Sequence, residues 1–83
     1  SHYIDFREAI REYITTIILS DKQKGATQRF LEENFHIPQK YALEIFLSSV
    51  EGIISLWIAG GAQEEPEELT DIILSTYNYD YLR

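Results

Sequence analysis

The stretch Tyr41–Ile58, YALEIFLSSVEGIISLWI, constrains this chain more than any other. It is one long apolar run interrupted by Glu44, Ser48, Glu51 and Ser55, spaced four, three and four residues apart. At about 100° per residue, that spacing keeps all four polar residues on one edge of a helix. The rest of the circumference is apolar or small. A helix of this kind must be covered on most sides. In 83 residues there are few other elements to do the covering. The run therefore predicts a central helix that needs a partner, most simply a second copy of the chain.

The boundaries of that helix are written beside it. Pro38 disfavours helix in the residue before it and can open the helix that follows. Gly60-Gly61 supplies an easy left-handed cap at the other end. The predicted span is Pro38 to about Ala59. Upstream, Asp5 with Glu8 three residues later reads as a capping box. Phe6, Ala9, Ile10, Tyr13, Ile14, Ile17 and Ile18 then follow a helical stripe, with Arg7, Glu8, Arg11 and Glu12 on the other side. The β-branched run Ile14–Ile18 weakens helix propensity near the end of this segment. A polar turn, Ser20–Gly25, separates it from a short helix over Ala26–Phe35 with Phe30, Leu31 and Phe35 as its apolar patch. A last helix begins at Pro66, where Glu67 and Glu68 complement the helix dipole. Its stripe is Leu69, Ile72, Ile73 and Tyr77. The tail Asn78–Arg83, with Tyr79 and Tyr81, has no periodicity. The expected fold is an all-α bundle of about four helices in a single domain, residues 1–83, with Ser1-His2 readable as a remnant of a removed tag.

Several function classes find no support in the residues. Cysteine is absent, so disulfides and thiolate metal sites are excluded. The absence fits an intracellular, cytoplasmic protein. The formal net charge is −7, which leaves no electrostatic footprint for a phosphate backbone. None of Gly25, Gly52, Gly60 and Gly61 belongs to a phosphate loop. His2 and His36 have no second ligand at helix spacing, so no metal site is expected, and His36 reads as a turn residue. No catalytic constellation or cofactor motif is present, and the chain reads as a non-enzyme. The apolar run approaches membrane-spanning length, but Glu44 and Glu51 would each be costly in lipid, so a buried helix and no membrane contact are expected. Glu44 and Glu51 read most simply as a solvated seam. The functional alternative is a carboxylate at the mouth of a pocket.

Two sets of residues remain as candidate sites. Small Ser48, Ser49 and Gly52 lie on one side of the central helix beside Ile45, Leu56 and Ala59. Small side chains allow two helix backbones to approach closely. Gly inside a helix costs about 1 kcal/mol against Ala, so a packing benefit is expected to offset it. Ile45, Ser48, Ser49, Gly52, Leu56, Leu69, Ile72 and Ile73 are thus the expected homodimer interface. The second set, Tyr13, Phe30, Phe46, Val50 and Trp57, is either plain core or the lining of a small-molecule pocket.

At these residues the chain resembles TetR/AcrR-type transcriptional regulators. The similarity rests on Phe46-Leu47-Ser48-Ser49-Val50-Glu51-Gly52-Ile53-Ile54, then Trp57, then Pro66-Glu67-Glu68-Leu69, within Tyr41–Leu74. The resemblance implies an all-helical C-terminal domain that binds an effector and dimerises through its last two helices. It also implies a DNA-binding half that this segment lacks, so DNA would be reached only through a domain absent from this chain. The expected function is the dimerisation and ligand-sensing portion of such a regulator. The alternative is a stand-alone helical adaptor that binds another protein's helix.

Overall fold

A computed structural model describes the backbone of residues 2–77 and the side chains of residues 6–77. It contains four α-helices: α1 (His2–Ile18), α2 (Lys24–Asn34), α3 (Gln39–Ala59) and α4 (Pro66–Tyr77). No strand occurs among the described residues. The all-α expectation is met. The tail with Tyr79 and Tyr81 lies outside the described residues.

Helix boundaries follow the local chemistry, with two differences from the sequence reading at helix starts. First, α1 starts at His2, so Asp5 sits inside the helix and is not its N-cap. The β-branched run Ile14–Ile18 is helical, as its stripe spacing predicted. Leu19 N–H still bonds Thr15 O at 3.0 Å. Packing against α3 outweighs the weak propensity of these residues. The last carbonyls of α1 are met by hydroxyls: Ser20 Oγ donates to Ile17 O at 2.8 Å and Thr27 Oγ1 donates to Ile18 O at 2.7 Å. Second, α2 begins at Lys24 and so takes in Gly25, which shortens the turn.

The end of α3 is a Schellman motif. Gly61 N–H bonds Ile58 O at 3.0 Å and Ala62 N–H bonds Trp57 O at 2.8 Å. Gly61 takes φ +90°, as the motif needs, while Gly60 stays at φ −87°. Ala62 follows at φ 52°, a conformation that carries a steric cost for a residue with a Cβ. The loop is then tied back by the indole of Trp57, whose Nε1 donates to Glu64 O at 2.9 Å. That bond satisfies the one polar atom of a large apolar side chain.

The central position expected for Tyr41–Ile58 is observed, since both α1 and α2 pack on α3. The fully apolar core is small: Leu31 from α2, Ala42, Leu47 and Val50 from α3, and Leu69 from α4. It is extended by an aromatic cluster in which Phe30, Phe46 and Tyr77 meet edge to face at centroid distances of 5.2, 5.4 and 5.6 Å. Phe35 joins Tyr77 at 5.7 Å. Such ring pairs add about 0.5–1.5 kcal/mol each beyond their buried area. Tyr77 thereby ties the last turn of α4 to α2 and α3, and its hydroxyl also bonds Ser49 Oγ.

Candidate functional site

The face expected to be a wet seam on α3 is an ion-paired joint. Arg11 donates from Nη1 to Glu51 Oε2 at 2.6 Å and from Nη2 to Glu44 Oε1. Arg7 donates from Nε to Glu51 Oε1 at 3.4 Å. The Glu51 side chain is only 12% exposed, while that of Glu44 is 60% exposed. Ser48 Oγ donates to Glu44 Oε2 at 3.0 Å. Ser55, the fourth member of the edge, is buried and its hydroxyl has no partner. The solvated-seam reading of Glu44 and Glu51 is therefore corrected at Glu51. The pocket-mouth alternative is also corrected, because both carboxylates are engaged by arginines of the same chain.

The joint explains how α1 is turned. Arg7 and Arg11, assigned from the sequence to the outer side of α1, point towards α3. Ile10, Ile14 and Ile18 are half-buried with them. Phe6, Tyr13 and Ile17, expected on the buried stripe, are exposed instead. A guanidinium can lay its apolar stem on a neighbouring helix while its head reaches a carboxylate. Two arginines facing two glutamates therefore set the rotation of α1, at the expense of part of its apolar stripe.

With α1 on one side and α2 on another, α3 keeps an uncovered line, beside which Glu44 and Ile58 are also exposed. Tyr41, Ile45, Ser48, Leu56 and Ala59 are exposed along it, and half-buried Gly52 lies between them. These positions follow one helical face. The line contains no charged residue and runs for about 27 Å, taking 1.5 Å per residue from Tyr41 to Ala59. Leu56 is its most prominent member, at 75% exposed. Beside it, α4 presents Ile72, which is exposed. Between the two helices lies a groove of about 380 Å³ whose walls include Ile53, Leu56, Trp57, Leu69 and Ile72.

The residues expected to form the dimer interface divide accordingly. Ile45, Ser48, Leu56 and Ile72 are exposed on this face, and Gly52 and Ile73 are half-buried. Leu69 is 8% exposed and belongs to the chain's own core. Ser49 is already bonded to Tyr77 and to Phe46 O. A Cβ at Gly52 would sit 3.8 Å from Arg7 Nη2, in ordinary contact, so Gly52 leaves room beside the ion-paired joint as well as on the uncovered line.

The five residues expected to line one pocket do not share a cavity. Tyr13 is 71% exposed on the outer side of α1. Val50 is core, and Trp57 lines the α3–α4 groove. Phe30 and Phe46 alone come together, on the wall of a hollow of about 200 Å³ bounded also by Ile18, Ala26, Thr27 and Leu74. Spacing along a helix reveals which residues share a face, but a cavity depends on how helices are rotated against each other. A further hollow of about 470 Å³ lies at the corner between α2 and α3, with Leu31, Phe35, Pro38 and Ala42 on its apolar side and Glu32, His36 and Gln39 on its rim. Sequence reasoning missed it, because its only signal was the Pro-marked corner. No cluster of His, Asp and Glu suited to a metal ion occurs among the described residues.

The Gln39–Ala59 helix is also long and apolar enough to cross a membrane, with a mean hydropathy of 1.6 over its best window. α1 and α2 pack on this helix, and 22% of that window is buried within the chain. No protein-family model matches the sequence, and neither a curated protein nor a solved structure matches it.

Proposed function

We propose that this chain is a helical association module: the dimerisation and ligand-sensing portion of a TetR-like regulator, which pairs with a second copy through α3 and α4. The observation that carries the reading is the uncharged line Tyr41–Ile45–Ser48–Gly52–Leu56–Ala59 with Ile72 beside it. A contiguous apolar patch of this kind marks an interaction surface. A second copy suits it for two reasons. The path Ser48–Gly52 permits a close helix crossing. The chain is acidic overall, with a formal net charge of −7, and two such chains repel least where they meet along a line of uncharged residues, with Glu44 at its flank paired to Arg11. Closed two-fold pairing is the commonest arrangement for a self-complementary surface.

In this reading an effector would act by shifting the population between two pairing geometries. Contact with DNA would be made outside these 83 residues. The ion pairs of Glu44 and Glu51 with α1 fit a helix packed within protein, so the proposal includes no membrane contact and a cytoplasmic setting. Sedimentation velocity across a dilution series tests the association. The native chain is expected to be a dimer at tens of micromolar, and Leu56→Asp is expected to be a monomer of unchanged helicity. A native chain that is monomeric at that concentration would refute the pairing. The adaptor reading draws on the second exposed row, Phe6, Tyr13 and Ile17 of α1, which a heterologous helix could cover.

A further inference from the structure

The uncovered line on α3 is not the same at its two ends. Bulky Tyr41 and Ile45 stand at one end, small Ser48 and Gly52 in the middle, and Leu56 beside the α3–α4 groove at the other. Tyr41 is 54% exposed and Ile45 48% exposed, so both side chains stand clear of the chain's own core. The groove is open to solvent, with buried Leu69 and exposed Leu56 and Ile72 among its walls. A second copy can lie on this surface in two orientations. In a parallel pair each residue of the line meets itself. Bulk then faces bulk, and the small middle faces a gap. In an antiparallel pair the ends exchange. Tyr41 and Leu56 lie equally far from the Ser48–Ser49 step, and so do Ile45 and Gly52. A two-fold axis at that step sets Ile45 of one copy over Gly52 of the other, and Tyr41 over Leu56 at the edge of the groove. Large residues facing small ones interdigitate. The same axis puts both α4 helices on one flank of the pair, each beside the N-terminal half of the other copy's α3.

Charge separates the two orientations as well. The Leu56 end adjoins the start of α4, where Glu64, Glu65, Glu67 and Glu68 are all exposed. The Tyr41 end adjoins the α2–α3 corner, where Lys40 stands against Glu32 and Glu33. Lys40 Nζ lies 5.0 Å from the centroid of the Tyr41 ring. A parallel pair brings the two most acidic ends together, four carboxylates against four. An antiparallel pair parts them and sets each near a Lys40. Repulsion between like charges selects against the first arrangement.

We infer that two copies pair antiparallel about a two-fold axis at Ser48–Ser49, with Tyr41 of each copy seated in the α3–α4 groove of the other. This geometry rests on the pairing proposed above and adds its orientation and register.

The chain has no cysteine, so one introduced cysteine carries one spin label. Gln39→Cys places it on the exposed first residue of α3, off the pairing line. In the antiparallel pair the two labelled positions stand about 28 Å apart along the helix axes, at 1.5 Å per residue. In a parallel pair they face each other across about 8–10 Å. Double electron–electron resonance is expected to report the long separation. Tyr41→Ala, at an exposed position, is expected to keep its helicity by circular dichroism and to raise the dimer dissociation constant about tenfold by sedimentation. Labels closer than about 15 Å or further apart than about 45 Å, in a chain that sediments as a dimer, would overturn the geometry and leave the pairing intact. A folded Tyr41→Ala chain that dimerises as tightly as the parent would overturn the seating of Tyr41 in the groove. A native chain that is monomeric at tens of micromolar refutes the pairing and this geometry together.

Discussion

Glu51 and Glu44 lie two turns apart on one edge of α3, have the same chemistry and both meet Arg11, yet they are expected to respond very differently to truncation. Glu51 accepts from two guanidiniums, at 2.6 Å from Arg11 Nη1 and 3.4 Å from Arg7 Nε, and its side chain is 12% exposed. A hydrogen bond to a charged group contributes about 1.5–3 kcal/mol. The 3.4 Å contact is long and belongs at the bottom of that range or below it. The arginine side chains are about a third exposed, so they regain water when the carboxylate is removed, which trims the loss further. The expected cost of Glu51→Ala is therefore about 2 kcal/mol, or a fall in melting temperature of roughly 8–16 °C for a domain of this size. Glu44 is 60% exposed, and an exposed pair contributes about 0–1 kcal/mol. Glu44→Ala is expected to cost under about 1 kcal/mol, most of it lost in high salt. The assay is urea unfolding followed by circular dichroism at one fixed protein concentration, because pairing would add a concentration-dependent term. Arg11→Ala and the Glu51/Arg11 double variant complete a cycle, with an expected coupling of about 1–2 kcal/mol. Equal costs at Glu44 and Glu51, or a Glu51→Ala cost below about 0.5 kcal/mol, would show that the joint does not hold α1 in place.

Ser55→Ala is expected to be neutral or to stabilise by up to about 1 kcal/mol in the same urea assay, since it removes a buried hydroxyl that has no partner. Leu31→Ala is expected to cost about 2–5 kcal/mol, because Leu31 is 2% exposed in a core with few members to share the loss; denaturant unfolding will report it as a lower midpoint or an unfolded chain. Ala62→Gly is expected to raise the unfolding midpoint by the equivalent of about 0.5–1 kcal/mol, by relieving the Cβ at φ 52°. Residues 1–83 are expected not to bind duplex DNA in a fluorescence titration at moderate salt, and a salt-dependent complex at micromolar protein would contradict the charge argument.

The sequence by itself determined the elements. Pro38 and Gly60-Gly61 delimited α3 to within a residue, and Pro66 with its two glutamates opened α4 where expected. These signals are local: a ring that fixes φ, a missing Cβ, carboxylates at a dipole. The one capping signal that misled, Asp5 with Glu8, was local too, and it was overridden by three residues of helix ahead of it. Spacing also placed Ile45, Ser48, Gly52, Leu56 and Ala59 on one side of α3, whereas Tyr41 joined that line and Ser49 left it for Tyr77 only in the structure.

Which face of α1 meets α3 was decided only by the tertiary structure. Apolar spacing chose Phe6, Tyr13 and Ile17 for burial, whereas pairing of Arg7 and Arg11 with Glu44 and Glu51 turned that row outward. The same rotation left Tyr13 exposed and Phe30 and Phe46 to share a hollow without it. The physical reason is that a sequence pattern fixes angles within one helix. The angle between two helices is fixed by whichever pairs of side chains across the gap gain most, and those pairs lie 33 to 44 residues apart in this chain.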